Sequence, residues 1–365
     1  MDISKKIPLF FLFHSFFSQK EKSEKEKLRP IWWTKLTNSE YWSSKTVYWL
    51  LSPVLIWNAW RAKSLTFFTA VNPSWKYGGL FGESKKAILD RIADEYKPIT
   101  LLVEKQNLTN ALQKDFIQSV FLSKKAFIAK PILGERGDGV TKIESVRDLI
   151  LYNQNADNEY IIQEFIDYRI ELGVFYSRKP SEAKGKITSI TLKEFLSVTG
   201  DGRSTLAELI AFNSRARFQE KKLKLKFEKI WQNTVPYGET IELEGIGNHC
   251  RGTRFINANY LITKNLENIF EKISRPIDGF QYGRFDLRVP SLNDLYNGKN
   301  IKIMELNGTN SEPTHVYDST FGFFRMYRDL AWHWTRMADI AIENQQNGTK
   351  SSKLIPFLKD LKAYL

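Results

Sequence analysis

Residues 301–310 read IKIMELNGTN, and a short way upstream residues 283–289 read GRFDLRV. Both are apolar runs with polar residues at alternate places, the mark of a strand. Alternation puts Glu305 and Asn307 on one face of the later strand, and Arg284 and Asp286 on one face of the earlier one. Two carboxylates and an amide oxygen are hard oxygen donors suited to a Mg²⁺ ion that bridges phosphates. Acids on a strand are ordinarily a solvated face, so acids set inside two apolar strands invite a search for a phosphate site nearby.

Such a site lies upstream, at residues 126–140, AFIAKPILGERGDGV. A short apolar strand ends in Lys130 and Pro131, and Gly134, Gly137 and Gly139 follow, with Glu135 and Arg136 between them. Bare backbone lets consecutive N–H groups converge on an anion, and Lys130 supplies a point charge. The loop is neither a Walker A sequence nor a G-x-G-x-x-G fingerprint, and taken alone it also reads as a plain hairpin.

Between these stretches the pattern alternates strands and helices. The spacing predicts a helix in KKAILDRIADEY, a strand in ITLLVE, and a helix in LTNALQKDFIQSVFL. AFIAKP and YIIQEFI read as strands separated by a helix near Ser145 to Tyr152, and KITSITLKEFLSV reads as one long strand. Thr205 with Glu208 three residues later has capping-box spacing at the head of TLAELIAF. A closing helix is expected in FRMYRDLAWHWTRMADIAIENQ. The fold class expected is α+β with mostly antiparallel strands.

The 365 residues suffice for two domains with a real core. The single cysteine, Cys250, excludes an intramolecular disulfide, and with four histidines it argues against a zinc site and for a reducing compartment. A net charge of +13 calls for an anionic partner: nucleic acid, a membrane face or nucleotide phosphates. The segment IPLFFLFHSFF lacks a small-residue cleavage site and runs into QKEKSEKEKLR, so it is read as retained. No apolar stretch reaches the ~18 residues of a membrane span. Seven tryptophans (Trp32, Trp33, Trp42, Trp49, Trp57, Trp60, Trp75) crowd the first 75 residues. They read either as a helical hairpin packed on the main domain or, over residues 31–63, as a peripheral contact with a membrane.

The order of these motifs resembles the ATP-grasp carboxylate–amine ligases. It comprises a strand ending in Lys-Pro, a glycine loop, Glu164 with Glu171 seven residues on, Gly-Arg-x-Asp and Glu-x-Asn. D-alanine–D-alanine ligases come nearest, and SVTGDGRSTLAELI is similar to a segment of cyanophycin-synthetase-type ligases. The resemblance implies two α+β subdomains clamping ATP, over about 81–163 and 164–345. They would follow an aromatic-rich helical segment 1–80 and precede a tail 346–365. It implies ATP and Mg²⁺, in two ions, as cofactors, with Lys130 on the phosphates and residues 134 to 139 as their lid. Glu164, Phe165 and Ile166 would form the adenine hinge, and Glu171 would bind the ribose. Asp286, Glu305 and Asn307 would hold the metal, and Arg284 would steady the transferring phosphoryl group. Lys85, with Lys86 as rival, would be the first phosphate lysine. On the substrate side stand Lys193, Asn248, Arg251 and His315, with Glu312 and Arg254 nearby; GNHCRGTRF also reads as a surface loop.

The expected activity joins a small-molecule carboxylate to an amine, amino acids or cell-envelope precursors, through an acyl phosphate. Location is expected in the cytoplasm, at or near the inner membrane face. A degenerate ATP-binding module, or a basic protein binding a membrane surface or nucleic acid, are the alternatives, nucleic acid being the least favoured.

Overall fold

The computed structural model describes residues 29–104, 126–132, 139–245, 247 and 249–364, and only the backbone of Cys250. The expected helix in LTNALQKDFIQSVFL and most of the glycine loop lie outside the described residues. In chain order the elements begin with α1 (Ile31–Thr37), α2 (Ser44–Arg61) and α3 (Lys85–Asp90), then β1 (Thr100–Val103), β2 (Phe127–Pro131) and β3 (Thr141–Ile143). Next come α4 (Val146–Asn155), β4 (Tyr160–Glu164), β5 (Ile170–Ser177), β6 (Lys186–Glu194), β7 (Leu196–Thr199), α5 (Leu206–Phe212) and α6 (Glu220–Lys226). The chain closes with β8 (Thr240–Glu244), β9 (Arg254–Asn257), α7 (Lys264–Ser274), β10 (Tyr282–Val289), α8 (Leu292–Tyr296), β11 (Lys302–Asn307), α9 (Phe323–Gln346) and α10 (Leu354–Tyr364).

The strands form a four-stranded sheet ordered β1-β4-β2-β3, a five-stranded sheet ordered β11-β10-β5-β6-β9, and a separate β7-β8 ribbon. Every pairing is antiparallel, as the alternating patterns led one to expect. Two expectations are corrected. KITSITLKEFLSV is not one strand, because the chain breaks at Phe195 and β7 leaves the large sheet to pair with β8. The helix in KKAILDRIADEY stops at Asp90, and a single tight turn, Asp94–Tyr96, follows before Pro98. The last twenty residues, read as a tail, hold α10, whose Phe357 is buried against Phe68, Tyr77 and Phe81.

Each sheet sorts its residues by alternation. On the small sheet Phe127, Ala129, Tyr160 and Ile162 pack with Leu149 of α4, which leaves Lys130 and Gln163 on the opposite face. On the large sheet Leu172, Val174, Phe285 and Leu287 pack with Phe270 of α7. The odd-numbered residues of β5 and the even-numbered residues of β10 face the other way. One end of that second face is covered by α9, which buries Met337 and Ile340 with Phe175 and Tyr282. Its other end carries Glu171, Arg284, Asp286 and Arg288.

The aromatic N-terminal segment is helical, and α2 docks on α9 through Val47 and Leu51, against Met326 and Leu330. Asn72 makes the segment continuous with the large sheet. Its Nδ2 donates to the carbonyls of Gly78 and Tyr282, both at 2.9 Å. Its Oδ1 accepts from the N–H groups of Gln281 at 2.8 Å and Tyr282 at 3.0 Å. Asn72 is fully buried, so Asn72→Ala strands several backbone groups away from water. Such a loss costs about 3 kcal/mol or more, and urea denaturation should show a lower midpoint with an unchanged slope.

Candidate active site

The pairing of β10 with β11 decides where the acids sit. Asp286 stands opposite Glu305 and Arg284 opposite Asn307, so all four side chains share one face, as the alternation implied. Between Asp286 and Leu287 the register shifts: Leu287 pairs with Ile303, and Met304 is left out of the ladder as a bulge. Its carbonyl turns to the small sheet and accepts from Lys130 Nζ at 3.2 Å and Gln163 Nε2 at 3.3 Å. Lys130 also donates to Gln163 Oε1 at 3.0 Å.

Lys130 is buried, and burial lowers its pKa from 10.5 to about 8. The charges of Glu305 and Asp286 pull upward, and that of Lys85 pulls further down. Lys85, Lys130, Asp286 and Glu305 are thus electrostatic neighbours in the space between the sheets. The two adjacent lysines have different surroundings. Lys86 turns outward to Asp90, one helical turn on, at 2.5 Å, whereas the Lys85 backbone N–H reaches the carbonyl of Ile132 just past β2 at 3.4 Å.

Asp286 is buried and ringed by donors. Arg284 embraces it with Nε at 3.2 Å and Nη2 at 3.0 Å, Lys193 reaches it at 3.0 Å, and Asn307 Nδ2 donates to it at 3.0 Å. Burial alone would raise its pKa, but Arg284 and Lys193 outweigh that and hold it near 2. Lys193 also bonds Glu171 at 3.0 Å. Burial would lower its pKa, yet Asp286 and Glu171 leave it raised. Lys193, expected on the substrate side, therefore lies between the proposed ribose carboxylate and the proposed metal carboxylate.

Glu171 is gripped on its other oxygen by Arg288 Nε at 2.9 Å. Arg288 also donates to the carbonyl of Ile166 at 2.7 Å and lies against the rings of Phe165 and Phe195. Arg288 escaped the sequence reading, although the alternation that selects Arg284 and Asp286 selects it too. Gly247 closes over this group: a Cβ there would fall 2.3 Å from Glu171 Oε1, so only bare backbone fits.

Other expected site residues are placed differently. The hinge 164–166 joins β4 toward β5, but the Phe165 N–H already donates to the carbonyl of Ala126 at 3.1 Å and the Ile166 carbonyl accepts from Arg288. Neither group is open to an adenine edge as it stands. His315 does not face an acceptor: it is buried, with Nε2 3.0 Å from Asp329 of α9. Arg251 lies 3.7 Å from Glu244 and Arg254 lies 3.6 Å from Glu194, so both are engaged with strand acids outside the cluster. Asn248, Gly134, Glu135, Arg136 and Gly137 lie outside the described residues. Gly139 is described; it has φ 66° and its carbonyl accepts from the Tyr152 hydroxyl at 2.8 Å.

Glu312 sits beside the cluster. Its backbone carbonyl accepts from Arg284 Nη1 at 3.0 Å, and its carboxylate accepts from the hydroxyls of Tyr48 and, at 2.5 Å, Tyr317. The N-terminal segment thus reaches the edge of the site. The same segment also contributes buried Glu40, which pairs with Arg215 and lies 3.0 Å from His249.

Among the described residues no group of three or more His, Cys, Asp or Glu forms a metal cage. Two carboxylates and an amide nonetheless suit Mg²⁺, which takes its remaining ligands from phosphate and water. Glu305 fits that role best, because its carboxylate has no hydrogen-bond or ion-pair partner among the described residues.

The lowered pKa of Lys130 has a testable sign. The folded protein releases this proton near pH 8, the unfolded chain near 10.5. Between those values the unfolded state holds the extra proton, so stability gains as pH rises through that window. Replacing Lys130 by Met should remove this gain: thermal melts of the two proteins should differ most in favour of the variant below pH 8, and least near pH 10.

The chain is similar to several known proteins. The model of the tubulin-tyrosine ligase family matches residues 80–168, under half of the chain. That stretch includes Lys85, Lys130 and the segment 164–166, but not the acids of β10 and β11. No curated protein matches in sequence. Among solved structures, D-alanine–D-alanine ligase from Bacillus anthracis is 16% identical, with 73% of this chain and 69% of that one covered and a TM-score of 0.40. A D-Ala:D-Ser ligase from Enterococcus faecalis is 13% identical, with 71% and 59% covered and a TM-score of 0.38. A bifunctional glutathione synthetase from Pasteurella multocida is 16% identical, with 67% and 36% covered and a TM-score of 0.35. The chain therefore spans about a third of the synthetase and under two thirds of the D-Ala:D-Ser ligase, and at these TM-scores the likenesses decide nothing about chemistry. The similarity to the tubulin-tyrosine ligase family is confined to residues 80–168 and leaves the strands that bear the acids uncovered.

Proposed function

We propose that this protein is an ATP- and Mg²⁺-dependent ligase that joins a carboxylate to an amine through an acyl phosphate. The observation that carries the reading is the meeting of Lys130 and Lys85 with Asp286 and Glu305 between two sheets, with Arg284 and Lys193 alongside. Cations set against hard anionic donors form a site for a polyphosphate with its counter-ion. Isolated salt bridges would not need that arrangement.

In this reading Lys85 and Lys130 bind the ATP phosphates, and Glu171, oriented by Arg288 and Lys193, accepts from the ribose hydroxyls. The hinge 164–166 presents to adenine the backbone groups that Ala126 and Arg288 do not occupy. Asp286, Glu305 and Asn307 would hold Mg²⁺, which neutralises charge building on the γ-phosphate when bound. Arg284, anchored on Asp286, offers its guanidinium to the oxygens of the phosphoryl group as the substrate carboxylate attacks. The amine then displaces phosphate from the acyl carbon, and enclosure of the site keeps water from doing so first. Residues 134–139 are the proposed lid.

The names of the similar proteins make amino acids the first acids and amines to try, with cell-envelope precursors next; a cytoplasmic site of action belongs to the same reading. A second reading, a nucleotide-binding module without turnover, is favoured by the full enclosure of Asp286 by Arg284, Lys193 and Asn307.

The test is ADP release with panels of acids and amines. Lys130→Ala should weaken MgATP binding by about 1.5–3 kcal/mol in calorimetry. Glu305→Gln and Arg284→Ala should lower acceptor-dependent turnover by at least on the order of a hundredfold with little change in nucleotide affinity, since both act on charge that develops during transfer. ATP binding without turnover by any acceptor pair would favour the second reading, and wild-type turnover in both variants would remove these residues from the chemistry.

A further inference from the structure

Helix α2 is apolar on two sides. One side, with Val47 and Leu51, is buried against α9. The opposite stripe runs through Trp49, Pro53, Ile56 and Trp60 at helical spacings of four, three and four, with Trp57 beside it. Trp49 is 73% exposed and Trp60 69% exposed, and Trp57 and Trp60 stack with ring centroids 5.0 Å apart. A helix apolar all round is ordinarily buried on every side; the outer half of this one meets water. Exposed lysines bound the stripe, Lys45 at the head and Lys63 just past the end.

The C-terminal end adds a second observation. A cleft of about 590 Å³ opens there, lined by Ile56, Trp60, Arg61, Lys63 and Leu65 among others. Arg61 is engaged with Asp339 at 2.7 Å, so Lys63 is the cation left at the rim. Lys63 has φ 50°, a left-handed conformation in which helices usually place glycine. The charge is kept there against a backbone preference.

We propose that the outer stripe of α2 docks on an anionic lipid surface. The helix lies flat, Trp49, Trp57 and Trp60 enter the boundary between headgroups and acyl chains, and Lys45 and Lys63 meet headgroup phosphates at the cleft and the opposite end. Indole suits that boundary because its ring is apolar and its N–H polar. Cations at both ends, on a chain of net charge +13, complement an anionic leaflet. Among the described residues no helix is long and apolar enough to cross a membrane, which agrees with a helix that lies in the interface. A second copy is a poorer occupant: two-fold pairing on this face would set lysine against lysine. This proposal is independent of the ligase reading.

The experiment is co-sedimentation of the full chain with vesicles of phosphatidylcholine, with and without phosphatidylserine. Binding should require phosphatidylserine and should be released as salt rises. Trp49→Ser, Trp57→Ser and Trp60→Ser combined should lower partitioning by at least on the order of tenfold, and so should Lys45→Glu with Lys63→Gly. Because glycine suits the helix end, Lys63→Gly should not lower the Tm. Three outcomes overturn the proposal. The first is equal binding to both vesicle types, and the second is undiminished binding by the tryptophan variant. The third is failure to sediment at low salt, which would mean that a second copy or the apolar segment IPLFFLFHSFF covers the stripe.

Discussion

The carbonyl of Met304 is where the two sheets are tied. β11 is the edge strand of the large sheet, and at its bulge this carbonyl faces the small sheet, where Lys130 and Gln163 donate to it. A buried ammonium needs acceptors wherever it sits, and this one has two, one from each sheet. The distance between Lys130 and the acids of β10 and β11 is therefore fixed by main chain, and the side chains of the acids remain available for other partners. Glu305, in register opposite Asp286, lies next to that carbonyl in the chain.

Asp286 illustrates the complementary constraint. Burial opposes its charge, and Arg284 on β10 and Lys193 on β6 reverse that opposition, while Asn307 on β11 adds a hydrogen bond. A carboxylate held in this way locks the strands laterally, as the Met304 carbonyl locks the sheets face to face. The cluster is accordingly part of the fold's own support, and any ligand that engages Asp286 must take over donors that the protein now supplies.

What could be read from the sequence was whatever one strand or one helix turn decides by itself. The alternation at Arg284, Asp286, Glu305 and Asn307, the capping box at Thr205 and Glu208, and the strand ending in Lys130 all depend on local geometry, and each is found in place. Residues whose surroundings come from distant chain could not be placed in this way. Nothing in KITSITLKEFLSV says that β5 lies beside Lys193, so its bonds to Glu171 and Asp286 are visible only in the fold. His315, expected on the substrate side, is buried beside Asp329 of a helix that follows, a partner its own loop does not announce. The break at Phe195 is set by the competing partner β8, some 45 residues on. Arg288 was legible in principle from the strand period, and the bond of Lys86 to Asp90 from their helical spacing.

Asn72 carries a consequence for how this molecule can vary. One amide side chain completes the hydrogen bonding of the backbone at Gly78, Gln281 and Tyr282, so the N-terminal helices and the strand that bears the acids are joined there. Such a segment is not a detachable module. Insertions or exchanges at the boundary near residue 80 would have to preserve a contact lying some two hundred residues away in sequence, and the aromatic surface of α2 is carried as rigidly as the site itself.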